Sequence, residues 1–155
     1  MSDCCLVNAK AVAAPDVLAC PVSGARCKQV DTLTVKSLVR QLPLDMPNTQ
    51  YYYCEDNECD AVYFPLDLQA PIFYREELNV RVGAKEKADP IPVCYCFGFT
   101  RKNIHDEIAK TDRSTIGERI SAEIKAGNCA CEVKNPSGKC CLGSVAQIAH
   151  DFMRM

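Results

Sequence analysis

Apolar positions recur at helical spacing in four stretches of the chain, and at alternating or continuous spacing through its middle. Val35, Leu38, Val39 and Leu42 fall at i, i+3, i+4 and i+7. That is one stripe of a helix that Thr32 or Thr34 can cap and that Pro43 and Pro47 end. Ile104 and Ile108 predict a second helix behind a Thr100 cap. Ile116, Ile120 and Ile124 predict a third, opened by Ser114 or Thr115 and closed by Gly127. A last helix runs from about Ser144 through Val145, Ile148, Ala149 and Phe152. Between these lie YYYC (51–54) and CDAVYF (59–64), aromatic and β-branched runs separated by Glu55-Asp56-Asn57-Glu58, which predict a hairpin. Residues 72–74 and the positions Leu78, Val80 and Val82 predict further short strands. The segment 83–92, with Pro90 and Pro92, reads as a linker.

This pattern predicts an α+β fold in two modules. Residues 1–19 form a flexible leader, 20–88 a small β-module resembling a zinc ribbon, and 89–155 a helical module. No internal repeat is visible. The 155 residues suffice for one ordinary domain or two small ones.

Charge narrows the function. A net charge of −2 gives no basic footprint for nucleic acid. No apolar run reaches the roughly 18 residues of a membrane span, and Pro15 and Asp16 interrupt the only apolar stretch near the N-terminus. The expectation is a cytoplasmic protein. Against that background twelve cysteines are anomalous, because cytoplasmic thiols are kept reduced. They stand in pairs, at 4 and 5, 20 and 27, 54 and 59, 94 and 96, 129 and 131, and 140 and 141. Ligands close in sequence converge on one ion with little loss of loop entropy, so paired thiols point to metal.

Two sites suggest themselves. A hairpin with a cysteine at each strand end, Cys54 and Cys59, beside the knuckle CPVSGARC with Cys20 and Cys27, has the layout of a zinc ribbon. The knuckle is long, and Ser23 stands where a second cysteine is usual, so the fourth ligand is either Cys27 or a leader cysteine, Cys4 or Cys5. The second site joins Cys94-Tyr95-Cys96 to Cys129, Cys131, Cys140 and Cys141. Soft thiolates suit an iron–sulfur cluster, and a second zinc is open to the same residues. No phosphate loop and no Ser–His–Asp arrangement is present. His105 and His150, each among charged neighbours on a helix, read as solvated. The chain therefore reads as a binding protein rather than an enzyme, with Cys140 as its one candidate reactive thiol.

VCYCFGFTRKNI, the two capped helices and CACEVKNPSGKCCLGSVAQI resemble the N-terminal domain of the CopZ-type copper chaperones. The ribbon half agrees through its CPxxG knuckle, YYYCEDNECDAVYF and VRVGAKE, so the resemblance spans roughly 20–152. Residues 94–152 also resemble the bacterioferritin-associated ferredoxin domain. The resemblance implies a structural zinc and a [2Fe-2S] cluster in a metallochaperone that handles copper or a similar soft metal. A metal-transporting ATPase, another metal acceptor or a redox partner would receive what it carries. It implies cluster ligands Cys94, Cys96, Cys131 and Cys141, with Cys129 and Cys140 as spares. The longer chaperones of the family carry a further Met-x-Cys-x-x-Cys loop that is absent here. Copper binding would then fall to Cys4 and Cys5 or to the spare thiols, since low-coordinate thiolate pairs suit Cu(I). The competing expectation is a small ferredoxin-type electron carrier.

Overall fold

A computed structural model describes residues 14–154 of the chain. Five short strands form one antiparallel sheet in sequence order: β1 (Val17–Ala19), β2 (Arg26–Val30), β3 (Tyr51–Tyr53), β4 (Ala61–Pro65) and β5 (Phe73–Tyr74). Helix α1 (Thr32–Leu38) follows β2. A second, two-stranded sheet pairs β6 (Pro92–Cys94) with β7 (Phe99–Thr100). The chain then turns helical through α2 (Arg101–Thr111), α3 (Ile116–Lys125), the single turn α4 (Cys131–Lys134) and α5 (Leu142–Met153). The α+β class read from the pattern is the class observed.

Side chains alternate across a strand, and that decides what each face of the sheet carries. Tyr51 and Val30 turn to the face covered by α1, into a core with Val35, Leu38, Phe73 and Leu78. Tyr52 and Cys27 turn to the other face, where Phe64 packs with Cys20, Cys54 and Cys59. A register shift between Ala61 and Tyr63 breaks the alternation in β4, so Val62 and Tyr63 share the α1 face. Buried tyrosines also need partners for their hydroxyls. Tyr51 donates to the Pro71 carbonyl at 2.7 Å and Tyr52 to that of Pro15 at 2.6 Å. A third core joins Ile104, Ile116, Ile120 and Val145 from the three long helices, beside Cys94 and Cys141.

The helical half follows its sequence signals closely. Thr100 Oγ1 accepts from the Asn103 amide at 3.2 Å, while Asn103 Oδ1 accepts from the Thr100 amide at 2.8 Å, a reciprocal cap on α2. Thr115 donates its hydroxyl and amide to Glu107 at 2.6 and 2.7 Å, bracing α3 against α2.

The sheet half departs from expectation in four places. Residues 17–19 at the end of the predicted leader form β1, and Gln29 fixes the Ala14 and Pro15 carbonyls at 3.2 and 2.9 Å. The knuckle runs directly into β2. Helix α1 stops at Leu38, before the prolines, because Val39 turns extended and bridges to Leu78. Residues 78–82 form no strand of a sheet; buried Leu78 and Val82 sit between two 3₁₀ turns, Arg75–Glu77 and Gly83–Lys85.

The segment 83–92 likewise differs from a free linker. Arg81 holds it by donating to the Pro90 carbonyl at 2.6 Å and to Glu86 at 2.6 Å. The Gly83 amide donates to the Tyr95 hydroxyl at 2.8 Å, and that hydroxyl donates to the Arg81 carbonyl at 2.7 Å. The two halves also meet at α4. Thr34 of α1 donates to the Glu132 carbonyl at 2.7 Å, and Tyr63 of β4 donates to the Pro136 carbonyl. Gly138, at φ +74°, lets that loop lie against Thr34, whose Oγ1 would be 2.7 Å from an added Cβ.

Gly83 is the tightest crossing. A Cβ there would fall 2.0 Å from the Pro92 carbonyl oxygen, backbone that cannot swing aside. Gly83→Ala is expected to cost roughly 1–3 kcal/mol or more, the range of overpacking, and to lower the urea midpoint accordingly. An unchanged midpoint would show that β6 shifts freely.

Candidate metal centres

The described cysteines are all free thiols, and most of them gather at two points. On the sheet face opposite α1, the sulfurs of Cys20, Cys54 and Cys59 lie within 4.8 Å of one another, all three buried. Cys20 ends the β1 arm, Cys54 follows β3 and Cys59 precedes β4. The turn between the last two is built by Asp56, whose carbonyl accepts from the Cys59 amide at 3.1 Å and whose Oδ1 accepts from the Glu58 amide at 3.0 Å. Tetrahedral zinc with Zn–S near 2.3 Å needs sulfurs about 3.8 Å apart, a spacing compatible with this triangle.

Cys27 borders the triangle without completing it. Its thiol donates to the Ala25 carbonyl at 3.2 Å, and burial, with Cys54 and Cys20 close by, pushes it up to about 12. A bound metal would have to displace that proton. Ser23, read in the sequence only as a missing ligand, is placed among the sulfurs, its Oγ 3.8 Å from Cys54 Sγ. Burial works to raise the Cys20 thiol, but hydrogen bonds led by those from Ser23 outweigh it and lower its pKa.

At the second point Cys96, in the turn between β6 and β7, meets Cys129 and Cys131 at the start of α4. The separations are 3.5 Å for Cys96–Cys131, 3.2 Å for Cys129–Cys131 and 3.9 Å for Cys96–Cys129. The Ala130 amide donates to Cys96 Sγ at 3.2 Å. Beneath them Cys94 and Cys141 are each 1% exposed and lie close together, while Cys140 is exposed. Burial, then the neighbouring Cys94, pushes Cys141 up to about 12. Cys131 is raised by burial and by its contacts with Cys129 and Cys96; Cys129, the accepting partner, is lowered. A trio, Cys96, Cys129 and Cys131, thus stands beside a buried pair, Cys94 and Cys141, where a cluster needs four thiolates. The donor set fits an iron–sulfur group in number and softness, with Cys129 0.4 Å farther from Cys96 than Cys131 is. Cys4 and Cys5 lie outside the described residues.

The two histidines remain at the surface, with side chains 56% and 62% exposed. Two polar residues near the sulfurs carried no sequence signal of that place: Ser23, beside Cys54 Sγ, and Lys85, whose Nζ donates to the Cys59 carbonyl at 2.8 Å. No helix among the described residues is long and apolar enough to cross a membrane.

Fold and thiol clusters together define a cysteine-rich metal-binding protein built as a zinc-binding sheet half and a helical half. The CopZ-type zinc binding domain matches residues 18–79. The copper chaperone CopZ of Archaeoglobus fulgidus is 32% identical over 127 residues, which is 81% of this chain and 58% of that protein. The chain thus spans little more than half the length of this curated relative. The X-ray structure of the A. fulgidus CopZ N-terminal domain matches with a TM-score of 0.70 at 30% identity, covering 84% of this chain and 97% of that one. The chain belongs to the family of the CopZ N-terminal domain.

A pH dependence follows from the buried thiols. Cys27 and Cys141 lie near 12 against an ordinary 9.0, so the metal-free fold favours their neutral forms. That contribution is complete below about pH 9 and is lost as pH rises towards 12. Thermal melts of the metal-free chain should fall steadily across that window, and metal uptake at neutral pH should release protons. A flat profile would mean that these thiols are not held neutral.

Proposed function

We propose that this chain is a cytoplasmic metallochaperone for copper, a binding and transfer protein rather than an enzyme. It carries a structural zinc on Cys20, Cys27, Cys54 and Cys59 and a [2Fe-2S] cluster on Cys94, Cys96, Cys131 and Cys141. The observation that carries the reading is the convergence of reduced thiols at two points in a family whose matched relative is named a copper chaperone. The sheet-side thiols are buried and close, which suits a metal that stays. The helical-side thiols are partly exposed at Cys96 and Cys129, and Cys140, next to Cys141 in the chain, is exposed, which suits exchange.

The residues divide the work. Cys94 and Cys141 hold the inner edge of the second centre among Ile104, Ile116 and Val145, keeping water out. The amide of Ala130 and the N-terminal end of α5, which begins next to Cys141, offset negative charge on the sulfurs. When bound, the cluster supplies a one-electron reservoir. Cu(I) is cargo, taken by soft thiolates of Cys4 and Cys5 or by a spare thiol, and passed to a metal-transporting ATPase or another thiolate acceptor. The half-exposed position of Cys96 also favours a second reading, a small ferredoxin-type carrier that docks to a redox partner.

Anaerobically purified protein should contain about two irons and one zinc per chain. Alanine at Cys94, Cys96, Cys131 or Cys141 should abolish the visible absorbance, while Cys129→Ala and Cys140→Ala should largely keep it. Loss with Cys129→Ala and retention with Cys131→Ala would move the third ligand to Cys129. Replacing Cys4 and Cys5 together by alanine should weaken Cu(I) binding by roughly tenfold or more. Unchanged affinity, or none in the parent, would leave the electron-carrier reading in its place.

A further inference from the structure

Lys85 is a buried cation in an unexpected place. Its side chain is 1% exposed, and its Nζ donates to the carbonyls of Asp56 at 2.9 Å and Cys59 at 2.8 Å, the two ends of the turn that delivers Cys59 to the sheet-side sulfurs. An ammonium withdrawn from water normally has an anion beside it. Among the described residues Lys85 pairs with no carboxylate, and the acidic side chains around it are engaged elsewhere. Glu58 pairs with Lys87 at 2.7 Å, Asp60 with Arg75 at 3.1 Å and Glu86 with Arg81 at 2.6 Å. Asp56 turns its carboxylate to the Glu58 amide at 3.0 Å. On the other side of the same turn stands the sulfur group, where four thiolates around a divalent ion would leave a surplus of two negative charges.

We propose that Lys85 is the internal counter-charge of the sheet-side zinc centre, a positioning residue that neutralises part of its thiolate surplus and fixes the Asp56–Cys59 turn that presents Cys59. The proposal rests on the zinc reading above. It differs from a plain packing role in one respect: the side chain should matter more to the metal-loaded chain than to the empty one. Metal-bound thiolates exist only in the loaded chain, so the part of the role that is charge is felt only there.

The test compares the full-length parent with Lys85→Met, which removes charge and donors, Lys85→Gln, which keeps an amide donor, and Lys85→Arg, which keeps the charge. Zinc affinity is measured by chelator competition, and urea midpoints are measured with and without zinc. Met and Gln are each expected to weaken zinc binding roughly 10- to 100-fold, as loss of outer partners does elsewhere. They should lower the midpoint of the zinc-loaded chain by clearly more than that of the empty chain, which loses only the two hydrogen bonds to the turn. Arg should restore most of the affinity. Zinc affinity within twofold of the parent for both neutral variants, or equal losses of stability with and without zinc, would overturn the proposal. If Met fails to fold, Gln against Arg decides between charge and packing. A parent that takes up no zinc would remove the zinc reading itself, and with it this role; a parent that binds zinc indistinguishably from the neutral variants removes Lys85 alone.

Discussion

Sulfur atoms held 3–4 Å apart are neutral neighbours as thiols and mutually repelling as thiolates, so a protein that gathers them must choose what stands between them. Here the spacing at the second centre runs from 3.2 to 3.9 Å, and three buried sulfurs crowd the first. Burial favours the neutral form of Cys27, Cys131 and Cys141, against the charged form that a metal requires. The same burial sets protons against the metal at Cys27 and Cys141, so uptake there is coupled to their release.

Most of the polar structure near the sulfurs serves that constraint. Ser23, Val22 and Ala130 turn hydroxyl or amide groups toward them. The sheet places its cysteines on one face and its tyrosine-rich core on the other, so metal chemistry and hydrophobic cohesion do not compete for the same space. In the helical half the isoleucines of α2 and α3 line up behind Cys94 and Cys141, giving the inner thiols an apolar wall. Membership of the CopZ N-terminal domain family fits this division, since the matched zinc binding domain ends at residue 79, close to where the sheet half ends.

The sequence was most legible where local rules suffice. Helices α2, α3 and α5 announce themselves by isoleucine and valine spacing and by the Thr100 cap, and the structure differs only at their ends. The tyrosine run and CDAVYF read as a hairpin because both strands are continuous in aromatic and β-branched residues. The strands β1 and β2 were hidden: three and five residues long, they carry few large side chains, and the knuckle reading of CPVSGARC absorbed Cys27, which is a strand residue. The alternation of Leu78, Val80 and Val82 misled for the opposite reason, since burying alternate side chains needs no partner strand. Cysteine pairing marked both centres, but spacing alone does not show which sulfurs meet, and Cys129 stands closer in than its place among the spares implied. Lys85 left no signal at all. In a run of alternating charges it looks like every solvated lysine, and only the fold turns it inward.

One detail of the architecture has a consequence for how such a protein can be taken apart. Helix α4 is a single turn of four residues, far below the length at which a helix holds its own shape. It is held instead by Thr34 on one side of Glu132 and by Tyr63 at Pro136, both from the sheet half. Cys131, the first residue of that turn, therefore receives its position from a part of the chain about a hundred residues earlier. A graft of the helical half onto another carrier would transplant every cysteine of the second centre and still leave one of them without an anchor. The two modules are consecutive as text and interleaved as machinery, so their inheritance is joint.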